Sequence, residues 1–435
     1  MEGAEIRKVV DSVGVVDTHE HLMREVDRLQ MKADPLHIFL PHYLSSDLVS
    51  SGMKMEELNL IRSTETPLEE RWRRFLRYWE RVENTGYAQA IKIAVRDLYG
   101  IERFESNTWK ILSEALARRQ QPGFHTWVLK TMGGIDVAIN DVSNVDVDQN
   151  VVPVMRFEDF ATAVCRDDLQ ALASRTETPI HTLDDLVKTL EFEFARVAKK
   201  VVGVKIGLAY FRTLFFDKVT FSESEKAFNR IYRARAIGRR EVMPYPGRAI
   251  AVYTPRGPSF EDCKPLQDYV VHRILQLSER NGLPVQIHTG LQEGNENILV
   301  NSDPTLLTNL FMEYKDVKFD IFHAGYPYFR ELAALSKNFP NVYVDLCWMH
   351  VISPRAARTI LSEWLDMIPS NKILAFGGDY RFVEGSYGHI VLARRNVARV
   401  LEEKVSSGEL EPRNVTGLSS RLLRENAKEL FSLKI

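Results

Sequence analysis

The segment Asp17-Thr18-His19-Glu20-His21 closes a short apolar run, Val13-Gly14-Val15-Val16. Side chains of an extended strand alternate faces, so Asp17, His19 and His21 are expected on one side and Val16 and Thr18 on the other. Two imidazoles two residues apart at a strand's end can grip one metal ion. Alone, that pair is a weak signal. Three further apolar runs end on the same residue types: Val285-Gln286-Ile287-His288, Ile321-Phe322-His323, and Phe376-Gly377-Gly378-Asp379. Imidazole nitrogen and carboxylate oxygen are the donors that zinc and similar divalent ions take. A single histidine ending an apolar strand is more often structural. Four strands each delivering a ligand type at the same end is a pattern.

Those residues meet only if their strands run parallel and share one end. The chain alternates short β-branched runs with longer helical stretches, as a parallel sheet requires. Eight strands are predicted, at Val13–His19, Ile135–Asn140, Val151–Phe157, Val201–Leu208, Leu283–His288, Val317–His323, Val342–Leu346 and Ile373–Phe376. Eight closes a (β/α)8 TIM barrel, an α/β fold in which all strand C-termini open onto one face. Crossover helices are predicted at Leu266–Asn281 and Pro354–Asp366. Roughly 110 residues separate the first two strands, far more than a usual connection. Segments such as Leu68–Glu83 and Trp109–Arg119 give that stretch a helical character. It is read as a helical insertion, residues 22–133, capping the mouth of one barrel domain spanning residues 1–435. Arg239–Pro258, rich in Pro and Gly, is expected to be a surface connection, with a lid loop as the alternative.

In order and strand position, this set resembles the amidohydrolase superfamily, which carries HxH after strand one, a histidine after strands five and six, and an aspartate after strand eight. HTG at 288–290, HAGYP at 323–327, NVYVDL at 341–346 and ENAKELF at 425–431 are similar to the amidohydrolase-related branch in particular. His42-Tyr43-Leu44 within the insertion, and Asp379-Tyr380-Arg381, also resemble uronate isomerases. The resemblance implies His19, His21, His288 and Asp379 as ligands, with His323 a ligand or a catalytic group. Lys205, on the inward face of strand four, would either bridge two ions as a carbamate, as in some relatives, or help position substrate. An ion pair with an inward carboxylate such as Asp345 is the alternative, because a buried ammonium needs an anion or a shifted pKa. Asp345 is also expected to orient a ligand histidine. Arg212 is a candidate carboxylate anchor or a solvated loop residue. Tyr326, Trp348 and Arg381 follow strands six, seven and eight and are expected to line the pocket. His37, His125, His181, His272 and His389 are read as ordinary packing or surface residues, with His42 and His350 as exceptions.

Composition narrows the class. A net charge of −2 excludes nucleic-acid binding driven by a basic face. Cys165, Cys263 and Cys347 lie far apart, without CxxC spacing, which suits a reducing compartment rather than a disulfide framework. The N-terminal residues lack a signal-peptide core and no apolar run reaches membrane-spanning length, so a cytoplasmic protein is expected. No GxGxxG after a strand, GxxxxGK[ST] or GxSxG motif is present, which leaves nucleotide-driven and serine-hydrolase mechanisms unsupported. The expected function is metal-dependent hydrolysis of a small amide, ester or lactone bearing a carboxylate. Asp379 and His323 would be catalytic, on one or two divalent ions, zinc first among them. A metal-dependent decarboxylase or uronate-isomerase-like enzyme uses the same residue types, and a catalytically inactive metal-binding barrel is the non-enzymatic alternative. The expected partner is a small-molecule substrate, with no nucleic acid and no membrane, and with homo-oligomerisation left open.

Overall fold

In the computed structural model, residues 2–32, 34–41, 43–235, 241–245, 249–253 and 258–435 are described, the two short stretches 241–245 and 249–253 as backbone alone. Eight parallel strands form one sheet: β1 Val15–Glu20, β2 Ile135–Val142, β3 Val151–Arg156, β4 Gly203–Ile206, β5 Val285–Ile287, β6 Phe319–Ile321, β7 Val342–Asp345 and β8 Ile373–Leu374. Each neighbours the next in that order. The two edges meet where Thr18 N donates to Phe376 O at 3.2 Å and Asp379 N donates to His19 O at 2.8 Å. The chain is a (β/α)8 barrel, and every predicted strand overlaps an observed one. Of the Arg239–Pro258 stretch, the described part is an antiparallel pair, Glu241–Tyr245 with Ala249–Tyr253, and Pro258. Its remaining residues, like His42, lie outside the described residues.

Alternation sorts the strand residues onto two faces. Val204, Ile206, Val285, Ile287, Phe319 and Ile321 join the large core beneath the helices. A smaller cluster joins Val16, Val137, Ile139, Val154 and Leu374 to Leu430 and Phe431 near the C-terminus, and floors the barrel. Val16 therefore faces the interior, where simple alternation would turn it outward. The β1–β2 ladder shifts register between Val15 and Val16 and again between Asp17 and Glu20, which breaks the strict alternation along β1.

Helix boundaries follow local chemistry. Ser259 and Asp262 form a capping box at the start of Phe260–Asn281, and Gly282, at φ +63°, ends it. Ser353 caps Pro354–Met367, with proline in its first turn. Between β1 and β2, the predicted helical segments appear as Leu68–Val82 and Thr108–Arg119. Trp72, Phe75 and Trp79 recur on one face of the former and pack around Phe104. The Gly86–Tyr99 helix packs against the long Val383–Ser406 helix that follows β8. Contact is close enough that a Cβ on Gly388 would lie 2.1 Å from Ala90 O, so only glycine fits. No helix among the described residues is long and apolar enough to cross a membrane.

Candidate metal centre

The strand exits are held in place before any chemistry is asked of them. Asn140, on β2, accepts from Leu22 N at 2.6 Å and donates to Leu22 O at 3.1 Å, fixing the chain just beyond His21. His323, Trp348 and Asp379 follow β6, β7 and β8, and all three take left-handed backbone angles, φ +60°, +62° and +62°. Such conformations cost non-glycine residues on the order of 1–3 kcal/mol and gather at functional sites. Gly378 precedes Asp379 because a Cβ there would lie 1.9 Å from Glu20 Oε1.

Hydrogen bonds then fix which nitrogen of each imidazole bears a proton. His323 Nδ1 is 3.0 Å from Cys347 O and His288 Nε2 is 3.1 Å from Leu291 O. A carbonyl only accepts, so both of these nitrogens donate. The remaining lone pairs, on His323 Nε2 and His288 Nδ1, face each other at 2.9 Å. Gln286 Nε2 donates to Thr18 O and Asp320 Oδ2, which leaves its Oε1 to accept from His19 Nδ1 at 3.2 Å. The His19 Nε2 lone pair is buried, has no hydrogen-bond partner and lies 3.8 Å from Asp379 Oδ1. Asp379 Oδ1 is also 3.2 Å from His21 Nε2, and its Oδ2 is 3.9 Å from His323 Nε2. Three lone pairs and a carboxylate thus converge in a buried space. That donor set calls for a cation.

Electrostatics agree. Burial holds His19 and His288 well below the ordinary imidazole range and His323 down to about 4, so all three stay neutral and able to ligate. Burial alone would raise the Asp379 carboxyl, but His21, His19 and His323 hold it well below the usual carboxylate range. Lys205 is pushed down to about 8 by burial and then by Arg156. Its ammonium stands 3.6 Å from the Phe322 ring centre, and no carboxylate lies within ion-pair distance of it among the described residues. The expected pairing with Asp345 is not formed. Asp345 accepts instead from Cys347 N at 2.7 Å and reaches His323 only through that residue.

Below the histidines, burial pushes the carboxyls of Asp17 and Asp320 up to about 7. A raised carboxyl takes up its proton in the folded state first, so it adds stability as pH falls from about 7 toward its unfolded value of 3.8. The depressed His323 works in the opposite sense. Its contribution is complete above the unfolded value of 6.5 and is lost as pH falls toward about 4. Asp320→Asn removes the first effect and keeps an acceptor for Gln286. Relative to the natural protein, the variant is therefore expected to be more stable at pH 8 than at pH 5, as read from urea midpoints at both pH values. An equal difference at the two would contradict the raised carboxyl.

Of the residues expected to bind substrate, the structure brings Trp348 and Arg381 to this centre. The Trp348 ring stands edge-on to His323 with centroids 5.2 Å apart and stacks on Tyr43 at 4.4 Å. Arg381 lines a cavity of about 580 Å³ with His21, Asp141, Arg24 and Asn140. Tyr326 is half-buried, and its carbonyl accepts from Leu291 N, tying the loops after β5 and β6 together. Arg212 is elsewhere. Its guanidinium is buried and taken up by Asp268, Gln267 and the Phe215 carbonyl, so it is neither a solvated loop residue nor an anchor at this centre. Three neighbours escaped the sequence reading. Asp141, ending β2, lies 3.8 Å from His21 Nδ1; Arg156, ending β3, bridges Asp141 and Glu158; Gln286 orients His19. Gln286 was findable, as a polar residue on the His288 face of an apolar strand. From the insertion, the Tyr43 hydroxyl donates to the Asp379 carbonyl.

Residues 238–433 match a family model described as Amidohydrolase. Those residues, fewer than half of the chain, are similar to the amidohydrolase family. Protein fluG of Emericella nidulans is 32% identical over 189 residues, a match covering 42% of this chain and only 21% of that protein. Among solved structures, uronate isomerase from Thermotoga maritima has a TM-score of 0.77 at 14% identity, covering 99% of this chain and 97% of the other. Glucuronate isomerase from Caulobacter crescentus has a TM-score of 0.76 at 17% identity, covering 100% and 94%. At these identities, the likeness is one of fold. The residues present fit a divalent metal: His19, His21 and Asp141 bring ligand atoms within 4.8 Å of one another, as do His323, Cys347 and Asp379.

Proposed function

We propose that this protein is an amidohydrolase that holds a divalent ion, zinc first among the options, on His19, His21, His288, His323 and Asp379, and hydrolyses an amide, ester or lactone of a small carboxylate-bearing substrate. The observation that carries the reading is the pair of lone pairs on His288 and His323 facing each other at 2.9 Å. Two unprotonated nitrogens at that distance repel unless a cation takes up both, and burial disfavours a proton in that role. The ion would supply Lewis acidity, lowering the pKa of water and polarising a carbonyl. Asp379, ionised and lodged between the imidazoles, takes the proton of the attacking water and passes it to the leaving group. His323 acts as a ligand, because its only proton is committed to Cys347 O. Lys205, without a carboxylate partner among the described residues, supplies positive charge on the β4 side for the substrate carboxylate. Helices of the 22–133 insertion roof the site through Tyr43.

A second reading keeps the same ligands and converts a uronate to its keto sugar. It is favoured by the full-length fold likeness to two uronate isomerases, which extends over the insertion. Incubating zinc- or manganese-loaded protein with carboxylate-bearing amides, esters and lactones, and separately with hexuronates, decides between them. Released acid without ketose is expected, ketose alone installs the second reading, and inertness toward every class removes both.

A further inference from the structure

Past Leu374 the strand ladder stops, yet Asp379 lies five residues further on, so something other than sheet pairing must place it. Each carbonyl along this stretch has its own donor. Phe376 O accepts from Thr18 N and Oγ1 at 3.2 and 3.0 Å, and Gly377 O from Trp348 N at 2.9 Å. Ala375 O is held by His350 Nε2 at 2.8 Å, and Gly378 O by His389 Nδ1 at 3.0 Å. The Tyr43 hydroxyl takes Asp379 O. Both histidines are fully buried and come from the helical layer outside the barrel, His350 from Met349–Ile352 and His389 from Val383–Ser406.

We infer that His350 and His389 are positioning residues that clamp the strand-eight extension and so set where the Asp379 carboxylate points. Their tautomers follow from their partners, since each must donate to a carbonyl. His350 donates from Nε2 and accepts at Nδ1 from Asn396 Nδ2 at 3.2 Å, while Asn396 Oδ1 accepts from Arg358 at 3.0 Å. The relay Arg358–Asn396–His350–Ala375 thus ties the helical layer to the strand. His389 holds the carbonyl of Gly378, immediately before Asp379, and Gly378 N donates to Asp17 Oδ1 at 2.9 Å. With both polar groups of Gly378 pinned, the left-handed turn at Asp379 has one orientation available. The role assigned to the two histidines rests on Asp379 being a metal ligand, but the clamp itself is a property of the metal-free chain.

The test compares His389→Leu, which removes the donor, with His389→Asn, whose amide nitrogen stands where Nδ1 stood. Cobalt(II) affinity by chelator competition, the visible cobalt spectrum, melting temperature, and hydrogen exchange of metal-free residues 375–379 are all measured. The Leu variant is expected to bind cobalt about 10–100-fold more weakly, the scale seen when a group supporting a ligand is lost. It should also show an altered spectrum and faster exchange at 375–379. The Asn variant is expected to restore all three. A folded Leu variant with wild-type affinity, spectrum and exchange overturns the inference, as do Leu and Asn variants that fail equally. Should the Leu variant not fold, a folded Asn variant with an altered spectrum and faster exchange does the same. If the natural protein binds no cobalt, the metal reading falls, and the exchange data alone decide the clamp.

Discussion

Replacing Asp379 with Asn is expected to lower kcat by about 10²–10⁴, the range that a positioned acid–base group contributes, while the protein stays folded. Asn is the informative choice because the backbone at 379 has φ +62°. Asn tolerates left-handed angles, whereas Ala would add strain to the loss of the carboxylate. The bonds from Tyr43 to Asp379 O and from Asp379 N to His19 O run through the backbone and survive the change. What disappears is the group that His21, His19 and His323 hold ionised. Loss of turnover with an unchanged melting temperature is the expected result, measured on whichever substrate class proves active. A loss of less than tenfold would assign the proton transfers to another group.

Arg28→Met is expected to cost about 3–5 kcal/mol, because it strands a buried carboxylate. Arg28 reaches Glu384 through Nη1 at 3.2 Å and Nη2 at 2.5 Å, and the Tyr99 hydroxyl donates to the same carboxylate at 2.6 Å. Arg28 and Glu384 are 5% and 0% exposed. The guanidinium also stacks over Phe124, 4.9 Å from its ring centre. This pair ties the insertion to the start of the Val383–Ser406 helix, which begins just past the turn at Asp379. Losing the pair therefore loosens the insertion next to that turn. The double variant Arg28→Met/Glu384→Gln removes the stranded charge and keeps an acceptor for Tyr99, so it should recover much of the loss. Urea denaturation of the three proteins measures this. A single variant within about 1 kcal/mol of the natural protein, the scale of an exposed ion pair, would contradict the assignment.

The barrel was legible in the sequence because its strands are apolar runs of the right length, separated by longer helical stretches. The convergence of His19, His21, His288, His323 and Asp379 was legible because each follows such a run, and a parallel barrel gathers all those ends. Less was readable where partners are distant or belong to the backbone. Arg212 looked like an anion anchor because its partner, Asp268, sits far along the chain on the Phe260–Asn281 helix. His389 looked ordinary because its partner is a carbonyl, freed only where β8 stops pairing after Leu374. The inward turn of Val16 was hidden by the register shift in β1, which residue types do not announce.

The most direct test is an anomalous difference map from crystals grown with zinc and measured at the zinc edge. A strong peak is expected among His19 Nε2, His21 Nε2, His288 Nδ1, His323 Nε2 and the Asp379 carboxylate. No peak there at full zinc loading, or zinc bound only at surface residues, would contradict the proposed centre.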